Sequence, residues 1–108
     1  MRNLTPHAIV IDVAGVTQTI QPSGIIARVS TSEQSVGFCS ITGAPIVRRT
    51  FGEVEGVGSP SDGPCLVSAL VLSALGDEWS GVAFAPDTGA AIRNEKGYIV
   101  AVTRLVTV

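Results

Sequence analysis

Nucleophilic chemistry in this chain would have to run through His7. It is the only histidine, with Cys39, Cys65 or one of many serines as its partner. No spacing singles out a pair. His7 follows Pro6 and leads into the aliphatic run Ala8-Ile9-Val10-Ile11, a setting that suits a structural hydrogen-bonder better than a mobile base. No catalytic residue is therefore assigned, and the chain is not expected to be an enzyme. Glu53 and Glu55 would share one strand face, but they stand where a β-rich half ends and suit a solvated edge. Cys39 and Cys65 follow no metal-ligand spacing, so no metal or cofactor is expected, and both thiols should be reduced and buried. Gly56, Gly58 and Gly63 lack the Lys-Ser/Thr that completes a phosphate-binding loop.

Anion binding fits the residue types better. Six arginines stand against one lysine, and the guanidinium fork matches phosphates and carboxylates. Arg28, Arg48, Arg49, Arg93, Asn94 and Arg104 are the polar candidates, with Phe51, Trp79 and Phe84 as rings. A loop carboxylate accepts from ribose hydroxyls while an arginine holds phosphate, the combination a nucleotide needs. Asp87 and Thr88, in the loop Pro86-Asp87-Thr88-Gly89, and Arg93-Asn94 on the following hairpin arm offer it. An Asx-type turn at Asp87 and a solvated Arg93 account for the same residues equally well.

The elements that must position these groups are mostly strands. Leu4 to Asp12 reads as a first strand, turned at Ala14-Gly15 into the alternating Val16–Ile20. Gln21-Pro22-Ser23-Gly24 is a turn, and Ile25 to Ser30 resumes a strand. Ser30 to Gln34 is a ragged end or a loop. Val36–Ile41 and Pro45–Val54 pair around Thr42-Gly43-Ala44. Residues 55–64 carry three glycines and two prolines, a link between the β half 1–54 and a different half 65–108. In that second half, Leu66-Val67 could be a short strand. Ser68 caps a helix whose spacing of Leu70, Val71, Ala74 and Leu75 suits an apolar face, and Gly76 stops it. Asp77 to Gly89 is irregular. A hairpin of Ala91–Asn94 and Tyr98–Val106 ends the chain. The fold class is α+β and mainly β: one domain with an N-terminal antiparallel sheet, a short helix and a small C-terminal hairpin sheet.

Composition sets the bounds. At 108 residues the chain is one domain. Only 15% of residues are charged, against about 25% in an ordinary domain. Mean hydropathy is +0.44, so a monomer should expose apolar patches that self-association would cover. The net charge of −2 gives no general field for DNA or RNA. The longest apolar run, Leu66 to Leu75, is interrupted by serines and too short for a bilayer, and Arg2 leads into a strand instead of a signal-peptide core. A cytoplasmic protein is expected.

Asn3-Leu4-Thr5-Pro6-His7, Pro22-Ser23-Gly24-Ile25-Ile26-Ala27-Arg28-Val29, and Phe51-Gly52-Glu53-Val54-Glu55-Gly56 follow one another in order. After them come Leu66-Val67-Ser68-Ala69-Leu70-Val71, Ala85-Pro86-Asp87-Thr88-Gly89, and Arg93-Asn94-Glu95-Lys96-Gly97-Tyr98-Ile99-Val100. This series, covering nearly the whole chain, resembles the Thoeris anti-defence protein one family of small phage and prophage proteins. The resemblance implies a non-catalytic sponge for cyclic ADP-ribose-type immune signals, including glycosyl forms, with cyclic oligonucleotides at a second site. It implies action in the cytoplasm of an infected bacterium, assembled as a homodimer or a trimer of dimers. Ligand sites at the dimer interface would use an arginine, an aromatic stacker and a polar amide. Arg93 matches the terminal-hairpin arginine, Arg48 or Arg49 falls in the strand supplying another, and Arg28 matches the second-site block. Where the family commonly has an aromatic before Val-Ser-Ala-Leu, this chain has Cys65-Leu66, and Trp79 or Phe84 would have to supply the ring. The competing reading is a phage structural or protein-interaction module without a nucleotide ligand.

Overall fold

A computed structural model describes residues 1–108 and shows an α+β chain that is mainly β. Its strands are β1 (Arg2–Asn3), β2 (Ile9–Val13), β3 (Val16–Ile20), β4 (Arg28–Phe38) and β5 (Pro45–Glu55). After the Gly/Pro link come β6 (Cys65–Leu66), helix α1 (Ala69–Ala74), β7 (Ala83–Pro86), β8 (Ala91–Arg93), β9 (Ile99–Val102) and β10 (Leu105–Thr107). One sheet has the order β1-β6-β7-β10 and a second the order β3-β2-β9-β8, while β4 and β5 form a ribbon of their own.

The head of the chain breaks what the apolar pattern predicts as one strand. The Asn3 side chain is 1% exposed and takes over the local backbone. Its Oδ1 accepts from the Thr5 N–H at 3.0 Å and the Thr5 hydroxyl at 2.7 Å. Its Nδ2 donates to the carbonyls of His7 at 2.8 Å and Ile20 at 2.9 Å. An Asx turn therefore stands between β1 and β2, sending them into different sheets.

The two halves consequently interleave. β1 pairs in parallel with β6, and β6 in parallel with β7, while β7 and β10 are antiparallel. β2 pairs with its hairpin partner β3 and, in parallel through Ile11 and Val102, with β9. Two residues of β1 have no local strand to satisfy their peptide groups, so pairing across the link is the available solution. The Arg2 guanidinium fastens that link, donating to the carbonyls of Val57 and Gly63. Gly56 allows a close approach of two backbones: at φ +82°, a Cβ there would lie 2.7 Å from the Ile26 carbonyl oxygen.

The core gathers Leu4, Ala27, Val57, Cys65, Val67 and Trp79 with the inward face of α1, Val71 and Leu72. Ser68 caps this helix as its sequence predicts, accepting from the Val71 N–H at 3.2 Å. The helix ends at a C-cap on Leu75, one residue before Gly76. The segment expected to be irregular contains β7, whose Ala83 and Ala85 point into the core while Phe84 and Pro86 are half-buried. Small residues with a buried face carry little apolar signal. The polar stretch Ser30 to Gln34 is neither loop nor frayed end: β4 runs unbroken for 11 residues.

Candidate functional site

The terminal hairpin builds the most ligand-ready surface. The Asn94 N–H donates to the Tyr98 carbonyl at 2.9 Å, and the Gly97 N–H to the Asn94 carbonyl at 2.9 Å. Asn94 Oδ1 then accepts from the N–H groups of Lys96 and Tyr98, both at 3.0 Å, so the turn is held from within. The Arg93 guanidinium donates to the Gly97 carbonyl at 2.8 Å, which orients it along the hairpin. An open depression of about 660 Å³ is lined by Arg93, Asn94, Glu95, Lys96 and Tyr98. Arg93 keeps further N–H donors and Asn94 keeps its amide N–H groups. Tyr98 is 67% exposed, a ring standing beside a guanidinium and an amide.

Arg28 lies elsewhere. It lines a groove of about 340 Å³ with Thr5, Pro6, Ser68 and Leu70 between the head of the chain, β4 and α1. A neighbouring recess adds Glu53 and Glu55. Arg48 and Arg49 stand further out on β5, where Arg49 meets Glu33 at 3.0 Å. Asp87 is spent within the chain: Oδ1 accepts from the Gly89 N–H and Oδ2 from the Arg104 guanidinium. Of its two readings, the Asx-type turn is the one the geometry contains. Thr88 is exposed and borders a small apolar recess shared with β2 and β9. No depression is lined by members of two of the groups Arg28, Arg48-Arg49 and Arg93-Asn94.

Leu66 occupies the middle of a sheet and is fully buried, so its side chain is a core group and not a ligand contact. Of the proposed replacement rings, Trp79 is buried with Leu4, Cys65 and Val67 in a cluster that does not include Leu66, and Phe84 is half-buried. Phe51, exposed on β5 two residues from Arg49 and on its face, is one ring beside an arginine; the other is Tyr98, beside Arg93. Sequence reasoning passed over Tyr98 because it reads as the first residue of a strand. Its position after Asn94-Glu95-Lys96-Gly97, where a turn must hold the ring clear of the sheet, is the signal that marks it.

His7 differs from expectation in one respect. Its backbone carbonyl takes the structural hydrogen bonds, from Asn3 Nδ2 and the Thr5 hydroxyl, while the imidazole is exposed and makes none. No three His, Cys, Asp or Glu side chains converge as a metal-binding set would require. No helix is long and apolar enough to cross a membrane.

The cysteines also part company. Both are free, but only Cys65 is buried. Burial pushes the Cys65 thiol up, partly offset by the Arg2 guanidinium. Cys39 is half-exposed at the tip of the β4–β5 ribbon, outside any core. A hydrogen bond with the Thr42 side chain, then the backbone of Thr42 and Ile41, holds its thiol below the ordinary value. Iodoacetamide should therefore label Cys39 in the folded protein, with a pH midpoint below that of a free thiol. Cys65 should label only in denaturant. Peptide mapping checks this, and equal native labelling of both would refute it.

Comparison with protein-family models, with curated proteins and with solved structures finds no match to this chain.

Proposed function

We propose that this chain captures a cyclic nucleotide immune signal of the cyclic ADP-ribose type without converting it. It would act in the cytoplasm of an infected bacterium, as an assembly of more than one copy. The observation that carries the reading is the exposed hairpin on which Tyr98, Arg93 and Asn94 stand together: a stacking ring, a phosphate donor and a polar amide. These are the three components that the family resemblance implies. Arg28, in its own groove, is the residue for a second, cyclic oligonucleotide site.

Calorimetry with cyclic ADP-ribose and its glycosyl form tests the site. Tyr98→Ala should lose about 1–3 kcal/mol of stacking, or about one to two decades of affinity. Arg93→Ala should lose about 1.5–3 kcal/mol, as for a charge-assisted hydrogen bond, with the assembly intact. Affinity unchanged in both would remove this hairpin from the site.

A second reading, a phage structural or interaction module without a nucleotide ligand, draws on a different observation. The β4–β5 ribbon leaves Phe38 72% and Ile41 91% exposed, more apolar surface than a free-standing arm needs. Absence of binding by any cyclic nucleotide, with the ribbon still required for a protein contact, would favour it.

A further inference from the structure

A nucleotide lying on the terminal hairpin needs acceptors as well as donors. Phosphate oxygens accept hydrogen bonds, whereas ribose hydroxyls must also give them to an oxygen that is free. The depression supplies donors in plenty. Arg93 and Lys96 are donors only. Asn94 Oδ1 already accepts from the N–H groups of Lys96 and Tyr98, so that amide faces a ligand as a donor. The carbonyls of the turn are engaged too. Asn94 accepts from the Gly97 N–H, Gly97 from the Arg93 guanidinium, and Tyr98 from the Asn94 N–H.

Glu95 is the exception. It is the one carboxylate lining the depression, and it is exposed. The chain's two ion pairs are Arg49–Glu33 and Arg104–Asp87, so no cation fixes the Glu95 oxygens, although Arg93 and Lys96 share the depression with them. Its backbone, by contrast, is held, because the bonds to Asn94 lock the turn on which it stands. Asp87, the loop carboxylate whose type suits ribose hydroxyls, is engaged by Arg104 and the Gly89 N–H. Glu95 is left as the free acceptor-only group of the hairpin.

Its place matches a sugar. Arg93 precedes the turn and Tyr98 follows it, so a phosphate on the guanidinium and a base on the ring leave the ribose that joins them over the turn. A carboxylate there does two things. It accepts charge-assisted hydrogen bonds from the ribose hydroxyls, and it repels a phosphate ester on the same oxygen, which brings about −1.5 to −2 charges. Dinucleotide folds separate their two ligand classes by the same chemistry, an acid for the free hydroxyl and an arginine for the phosphate.

We propose that Glu95 is the specificity-determining residue of the hairpin site: it selects a nucleotide whose ribose hydroxyl is free and turns away the 2′-phosphorylated counterpart. The assignment rests on the nucleotide reading above and adds to it the class of ligand refused.

Calorimetry with cyclic ADP-ribose, its 2′-phosphate and the glycosyl form, which keeps one hydroxyl on the same ribose, tests it. Wild type should bind cyclic ADP-ribose about tenfold or more tighter than the 2′-phosphate. Glu95→Gln keeps an acceptor without the charge. It should weaken both unphosphorylated ligands about three- to tenfold and leave the 2′-phosphate at or above its wild-type affinity. Glu95→Lys should reverse the preference. Arg93→Ala should weaken all three ligands together and keep their ratio. The Glu95 side chain is exposed and outside both ion pairs, so its variants should fold as wild type does. No discrimination by wild type, or wild-type affinities in both Glu95 variants, overturns the assignment alone when Tyr98→Ala and Arg93→Ala still weaken binding. Binding of none of the three ligands by wild type overturns it together with the nucleotide reading.

Discussion

Asn3→Ala should remove about 3–5 kcal/mol of stability, a large share of the roughly 5–15 kcal/mol that holds a domain folded. Four hydrogen bonds converge on one buried side chain, and each partner left behind is a peptide group or hydroxyl in a low-dielectric setting. Asn3→Asp separates hydrogen bonding from packing. It keeps the shape and the acceptor for Thr5, but turns an oxygen towards the carbonyls of His7 and Ile20 where a donor stood. The loss should be as large as for alanine. Urea unfolding should show a lower midpoint with unchanged slope in both variants. A shift worth less than about 1 kcal/mol would mean that water replaces the side chain at this junction. His7→Gln, by contrast, should leave stability near wild type, because only the His7 backbone takes part.

Leu66→Ala should cost about 2–5 kcal/mol through lost burial and the cavity left in the sheet. It should leave ligand affinity per folded molecule unchanged. Those two outcomes distinguish a core residue from a ligand contact at a position where the family resemblance places a stacking ring. Thermal unfolding and calorimetry on the folded fraction supply both readings. A small change in stability with a large loss of affinity would return Leu66 to the site.

What could be read from the sequence was what local chemistry determines. The β2–β3 hairpin follows from alternation and the turn at Ala14-Gly15, and the start of α1 from Ser68. The terminal hairpin arms were legible from Arg93-Asn94 and Tyr98, although β10 then leaves β9 to pair with β7. Long-range pairing was not legible. The two residues of β1 carry no strand signal, and the parallel contact of Ile11 with Val102 spans most of the chain. β4 was hidden for a different reason. Alternation marks a strand only when one face is buried, and Ser30-Thr31-Ser32-Glu33-Gln34-Ser35 has no core to face.

The candidate site divides the same way. Arg93 and Asn94 could be picked by residue type, as could the arginines of β4 and β5. Whether a ring or carboxylate is free depends on tertiary contacts, which spend Asp87 on Arg104, sink Trp79 and Leu66 into the core, and leave Tyr98 outside.

The central claim, capture without conversion, is tested most directly by the fate of the ligand. The purified protein would be held for hours with glycosyl cyclic ADP-ribose, separated from free ligand, heated to unfold it, and the released molecule weighed by mass spectrometry. Capture predicts intact ligand recovered in proportion to protein, and recovery reduced in Tyr98→Ala and Arg93→Ala. Recovery of a hydrolysed or ring-opened product, or of no nucleotide at all, would contradict it.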